Sequence, residues 1–160
     1  NTLTQPMASR LVSRLTTRRY SGATAAGICN LTGLNAPDDC EQVAVQAVAR
    51  CKNLVSSLRA RVSLPSVGVL YELDELSRTA CRVLDTFELL RNVHPNPEFT
   101  AAANDAYNSV ASCVHAINTD HSLHAAVTAV LQTERVSRAL GSEELRLACA
   151  LRAELEHDGA

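Results

Sequence analysis

Between residues 68 and 92 the apolar side chains fall at Leu73, Leu76, Ala80, Val83, Phe87 and Leu90, steps of three and four that place them in one stripe along a helix. The other side of that helix carries Glu72, Glu75, Arg78, Arg82 and Glu88 at surface-type spacings, which reads as a solvated face. Upstream, Cys40, Val43, Ala47, Cys51, Leu54 and Leu58 repeat the period. Asn35-Ala36-Pro37-Asp38-Asp39 supplies the start signal (a cap, an early proline, acids in the first turn), and Leu64-Pro65-Ser66 predicts an end near Ser63. His94-Pro95-Asn96-Pro97 predicts a rigid turn into a third helix, with Phe99, Ala102, Ala106, Val110, Cys113 and Ile117 on one stripe. Asn118 to Asp120 ends it. Thr119 or Asp120 caps a fourth helix, in which Leu123, Val127, Val130 and Leu131 align. Gly141-Ser142-Glu143-Glu144 opens a last helix with Ser142 as N-cap and Leu145, Ala148, Cys149 and Leu155 on its apolar side. No strand-like alternation appears. The expected fold is all-α, about five helices in antiparallel hairpins or a bundle, because short connections between long helices make neighbours antiparallel.

Composition supports this reading. The 160 residues are 46% hydrophobic but only 3% aromatic, with no Trp, so Leu, Val and Ala carry the apolar mass and aromatic strand formers are scarce. That length suits one domain able to bury a core without staples. Six cysteines stand at 29, 40, 51, 81, 113 and 149, none spaced as a metal knuckle. Cys29, Cys40 and Cys51 sit one residue off a twin C-x9-C pattern. Cys40, Cys51, Cys81 and Cys113 fall on the apolar stripes, so they are expected as small buried hydrophobes in a reducing compartment rather than as disulfides.

Charge is uneven. Residues 1–24 hold Arg10, Arg14, Arg18 and Arg19 and no acid, while the rest of the chain holds eleven basic groups against all seventeen acidic ones, a net of −6. An acidic body of this kind gives no nucleic-acid footprint. The stretch from Met7 to Ser21 is rich in Arg, Ser and Thr, with Leu11, Val12 and Leu15 on one side of a helical wheel, as in a transit peptide. Arg18-Arg19-Tyr20-Ser21 is similar to a matrix processing site. If retained, the four arginines are the expected contacts to an acidic neighbour or an anionic lipid surface. The chain thus divides into a basic arm and Gly-rich connector, residues 1–33, and a helical domain, residues 34–160. No apolar run approaches the roughly 20 residues of a membrane span.

The common catalytic templates fail. There is no H-E-x-x-H, P-loop, G-x-G-x-x-G after a strand, or G-x-S-x-G. His121 and His124 are three apart, but a metal would have to recruit Asp120 or His115, and no cofactor or metal is expected. Cys113 and His115 are two apart on a helix and point roughly 200° apart, so they do not pair. Asp74/Glu75 and Glu143/Glu144 are adjacent carboxylates on exposed faces or helix starts, a dipole placement rather than an acid/base pair.

Several separate motifs then recur in order: Asp74-Glu75-Leu76-Ser77, Cys81-Arg82-Val83, Val93-His94-Pro95 with Pro97 and Phe99, Ala102-Ala103 with Ala106, and Ile117-Asn118-Thr119-Asp120 with Leu123. Together they resemble the N-terminal helical region of mitochondrial intermediate peptidase, of the thimet-oligopeptidase-like zinc metallopeptidases. Leu31 to Leu34, the segment Val43 to Leu54, and Glu144 to Leu151 extend the likeness. The resemblance implies an all-helical fold and a mitochondrial association, on the matrix side or peripheral to the inner membrane. That family's catalytic residues lie in a C-terminal half with H-E-x-x-H, to which no position here corresponds. The expected function is therefore a non-catalytic accessory subunit of a mitochondrial assembly, with a respiratory-chain complex or supercomplex of the inner membrane as first host. One alternative is the N-terminal fragment of an active presequence-processing peptidase. Another is a presequence-binding module using the acids Glu72, Asp74, Glu75, Asp85 and Glu88.

Overall fold

The computed structural model describes residues 27–159, so the arginine arm with Arg10, Arg14, Arg18 and Arg19 lies outside the described residues. Among the described residues there are six helices and no strand: α1 (Asp39–Ala60), α2 (Gly68–Val93), α3 (Pro97–Asn118), α4 (His121–Gln132), α5 (Glu134–Ser137) and α6 (Ser142–Asp158). The described residues are all-α, as their periodicity predicts. The four-residue α5 is the element the pattern did not announce. Its N-cap is Thr133, whose N–H still donates to the Ala129 carbonyl, and it buries a single residue, Val136.

The described chain falls into two compact units, residues 27–50 with Ser77–Val114, and Cys51–Leu76 with residues 115–159. In the first, the core is made by Cys40, Val43, Ala44 and Ala47 of α1, by Ala80, Cys81, Val83, Leu84, Phe87 and Leu90 of α2, and by Phe99, Ala103, Ala106, Val110 and Val114 of α3. Leu31 and Leu34 join it from a tight loop, in which Ile28 donates its N–H to the Leu34 carbonyl at 2.7 Å. Cys29 and Asn30 adopt φ of +54° and +58° there, and the Arg82 guanidinium donates to the Asn30 carbonyl. Gly27 is required by close approach, since a Cβ there would stand 2.2 Å from the Leu31 carbonyl oxygen.

Helix α1 starts as its sequence predicts, but the capping group is not Asn35. The Asp39 carboxylate reaches back to accept the backbone N–H groups of Asn35 and Ala36 at 2.8 and 2.9 Å, with Pro37 entering the first turn. The helix ends at Ala60, three residues before the expected Ser63, in turns closed by Leu58 and Arg59 carbonyls. Leu54 is half-buried and Val55 takes the core position beside it.

In the second unit Val55 and Leu58 of α1, Val69, Leu70, Leu73 and Leu76 of α2, and Leu123, Ala126, Val127 and Val130 of α4 are buried. Ala148, Leu151 and Leu155 of α6 complete that core, and α4 packs on α6. All six predicted seam residues of α2 are buried. The stripes of α3 and α6 are rotated from expectation. Ala103 and Val114 are buried where Ala102, Cys113 and Ile117 were expected, and Leu151 where Leu145 and Cys149 were. The expected Ser142 cap is Gly141, whose N–H donates to Glu144 Oε2 at 2.8 Å.

Candidate functional site

The first unit carries an open groove of about 730 Å³ at the α2–α3 turn. Helix α2 closes with the His94 N–H donating to the Leu90 carbonyl at 3.0 Å. Asn96 then starts α3: its Oδ1 accepts the Glu98 N–H at 2.8 Å, and its carbonyl accepts from the Thr100 N–H at 3.1 Å, with Pro97 at the first helical position. The Asn96 N–H donates to His94 Nδ1 at 3.2 Å, and the His94 ring lies 4.3 Å from that of Phe99. Prolines 95 and 97 and Ala101 give the groove a stiff apolar wall.

Arg91, in the last turn of α2, is the groove's charged group. Its guanidinium meets Glu88 Oε2 at 2.5 Å, lies 3.8 Å from the Tyr107 ring centroid, and places Nη1 3.4 Å from Asn104 Oδ1. The ring on one side and the carboxylate on another hold a normally mobile side chain in one geometry. Arg91, Asn104 and Tyr107 had no signal in the sequence, because no periodicity or motif reports that a turn brings an α2 arginine over an α3 ring.

In the second unit Arg59 Nη2 donates to Asp120 Oδ2 at 2.7 Å, while Asp120 Oδ1 accepts the Ser122 N–H at 2.8 Å and its hydroxyl at 2.5 Å. Partial desolvation alone would raise the Asp120 carboxyl, but the Ser122 hydroxyl, the Arg59 guanidinium and the Ser122 N–H together hold it below the usual carboxylate value. Asp120, not Thr119, is the cap of α4.

The histidines do not converge. His124 Nε2 meets Glu156 Oε1 at 3.2 Å, and His121 and His115 are exposed. No group of three His, Cys, Asp or Glu that would hold a metal occurs among the described residues. Cys40, Cys51 and Cys81 are buried, Cys113 is half-buried, and Cys29 and Cys149 are exposed, none of the six in a disulfide. Burial, then the nearby Asp85 charge, pushes the Cys81 thiol up to about 12, with Ser77 pulling the other way. Burial and Asp39 likewise raise Cys40. The acidic side of α2 is less solvated than expected: Asp74, Glu75 and Arg78 are half-buried, Glu72 is ion-paired with Arg61 at 2.6 Å, and Glu88 with Arg91. Asp85 is raised by burial and by Glu88. No helix among the described residues is long and apolar enough to cross a membrane.

The described residues thus form an all-helical module with an open groove at the α2–α3 turn. Sequence comparison then says whose: the chain is homologous to a segment of the mitochondrial intermediate peptidases. It is 34% identical to that of Eremothecium gossypii over 79% of this chain and 16% of the relative. It is 30% identical to that of Malassezia globosa over 91% of this chain and 19% of the relative. The Arabidopsis thaliana protein is 32% identical over 89% of this chain and 19% of the relative. The chain thus spans less than a fifth of the length of these curated relatives. No family model matches, and no solved structure matches.

Proposed function

We propose that this chain is a non-catalytic helical module that works by docking onto a larger protein body in the mitochondrion. The observation that carries it is the proportion of the match: 79 to 91% of this chain is homologous to only 16 to 19% of proteins named as mitochondrial peptidases. Homology to a small part of larger proteins supports a role beside a larger body. The surface of α2 agrees, since Leu89 and Val93, one turn apart, are 49% and 65% exposed. The host we put first is an inner-membrane respiratory-chain complex or supercomplex, with the chain as an accessory subunit on its matrix side. In that setting Arg10, Arg14, Arg18 and Arg19 contact acidic protein surface or anionic lipid. The test is native electrophoresis of gently solubilised mitochondria with detection of this chain. Comigration with a complex at high mass is expected, and a free species of about the 17.2 kDa chain mass refutes it.

The same homology favours a second reading, that the chain is part of a working peptidase and docks on the catalytic body of its own polypeptide. A transcript that continues past Ala160 into H-E-x-x-H establishes this, and a stop codon directly after Ala160 removes it. The presequence-binding alternative loses ground, because Glu72 and Glu88 already hold arginine partners.

A further inference from the structure

The α2–α3 groove is unlike the rest of the chain. No Asp or Glu lines it, although residues 25–160 net −6. Several acceptors near it already have partners: Arg91 and the Asn92 amide lie against the Glu88 carboxylate, and the Thr100 hydroxyl donates to the carbonyls of His94 and Asn96. Three donor groups face the groove. Asn104 gives its Oδ1 to Arg91, so its amide N–H groups are left over. The Asn96 N–H donates to His94 Nδ1, which makes Nδ1 the acceptor in the neutral ring and puts the proton on Nε2. The Arg91 guanidinium has five N–H groups; it directs them to Glu88 and Asn104 while its face lies on the Tyr107 ring.

We propose that this groove binds a carboxylate carried on a peptide segment, with Arg91, His94 and Asn104 as its donors. A guanidinium already fixed by Tyr107 and Glu88 loses little further freedom when it takes a planar carboxylate in bidentate fashion. Charge decides against phosphate. One arginine partly neutralised by Glu88 suits a single negative charge, whereas a phosphate group at about −1.5 to −2 is ordinarily met by a cluster of arginines. The open groove, about 730 Å³, has room for more than a free carboxylate ion; clefts of roughly 300–1,000 Å³ take drug-sized ligands. The proposal holds whichever larger body the module docks on.

The test is an NMR titration of the full 160-residue chain at low salt with N-acetyl-Gly-Glu-Gly-amide, its Gln counterpart, and inorganic phosphate as separate arms. Saturable shifts confined to residues 91–104, with a dissociation constant on the order of 1 mM, are expected for the Glu peptide only. Arg91→Gln weakens it at least about tenfold. Asn104→Asp places a carboxylate in the groove beside Arg91 and blocks the peptide from within, while a retained helical spectrum shows that the fold persists. Equal binding of the Gln peptide, tighter binding of phosphate, absence of saturation, or unchanged binding by the Asn104→Asp protein each overturns the proposal.

Discussion

Replacing Asp120 by alanine removes its contacts to Ser122 and its pair with Arg59, which the structure allows to be weighed separately. One is the cap: Asp120 Oδ1 satisfies the Ser122 N–H, one of the otherwise orphan donors at the start of α4. Loss of such a cap costs about 1 kcal/mol, within a range of about 0.5–2. The other is the pair with Arg59, whose side chain is 59% exposed against 11% for Asp120. Solvent screening reduces a pair of that kind to about 0.2–1 kcal/mol. The cap therefore dominates, and Asp120→Ala should cost about 1.2–2 kcal/mol against less than about 1 for Arg59→Gln. Urea denaturation at pH 7 measures both. At an m-value near 2 kcal/mol/M, Asp120→Ala lowers the midpoint by about 0.6–1 M. The double variant should reveal a coupling energy below about 1 kcal/mol. An Arg59→Gln cost equal to that of Asp120→Ala would refute the ranking, because the ion pair would then be the stronger element. The pH dependence follows from the same contacts. A carboxyl held below its usual value in the folded state contributes fully above the unfolded pKa of about 3.9, and loses that contribution as pH falls toward its own lower value. The difference between wild type and Asp120→Ala should be constant above about pH 6 and shrink below about pH 4.

Phe87 is fully buried, and Phe87→Ala should cost about 3–5 kcal/mol by the same denaturation assay. Gly27→Ala forces a Cβ to 2.2 Å from the Leu31 carbonyl oxygen, so the loop must shift; about 1–3 kcal/mol and loss of amide protection at Leu34 are expected. Iodoacetamide followed by mass spectrometry should label Cys29 and Cys149 at pH 8 in the folded protein, leaving Cys40, Cys51 and Cys81 unmodified until urea opens the chain.

How far the sequence foretold this depends on how different its neighbouring positions are. On α2 the seam alternates large apolar groups with charged ones, and the stripe is found residue by residue. On α3 alanines fill 101 to 103 and apolar residues stand at 113, 114 and 117, so a rotation of one position changes the apolar score little. Packing chose Ala103 and Val114. In α6, Leu145 and Cys149 look as apolar as Leu151, yet only Leu151 is buried. The caps were legible as chemistry but not as assignments: an acid near residue 39 and a glutamate at 144 were visible, and which backbone N–H each would accept was not. The groove was half legible. His94-Pro95-Asn96-Pro97 announces a turn, but the placement of Arg91 comes from contacts between residues 88 and 107, whose registry only the folded hairpin sets.

The three buried thiols have a kinetic meaning apart from their packing. Closed, they are shielded and, at Cys81, poor at forming the thiolate that exchanges with disulfides. An opening of the first unit presents Cys40 and Cys81 to the surroundings together, and an opening of the second presents Cys51. In a reducing milieu that event is harmless and the chain closes again. Under oxidation any bridge among them fixes an arrangement the native core does not contain, so each opening becomes a chance of no return. The working lifetime of this protein is then set as much by the redox state around it as by its equilibrium stability.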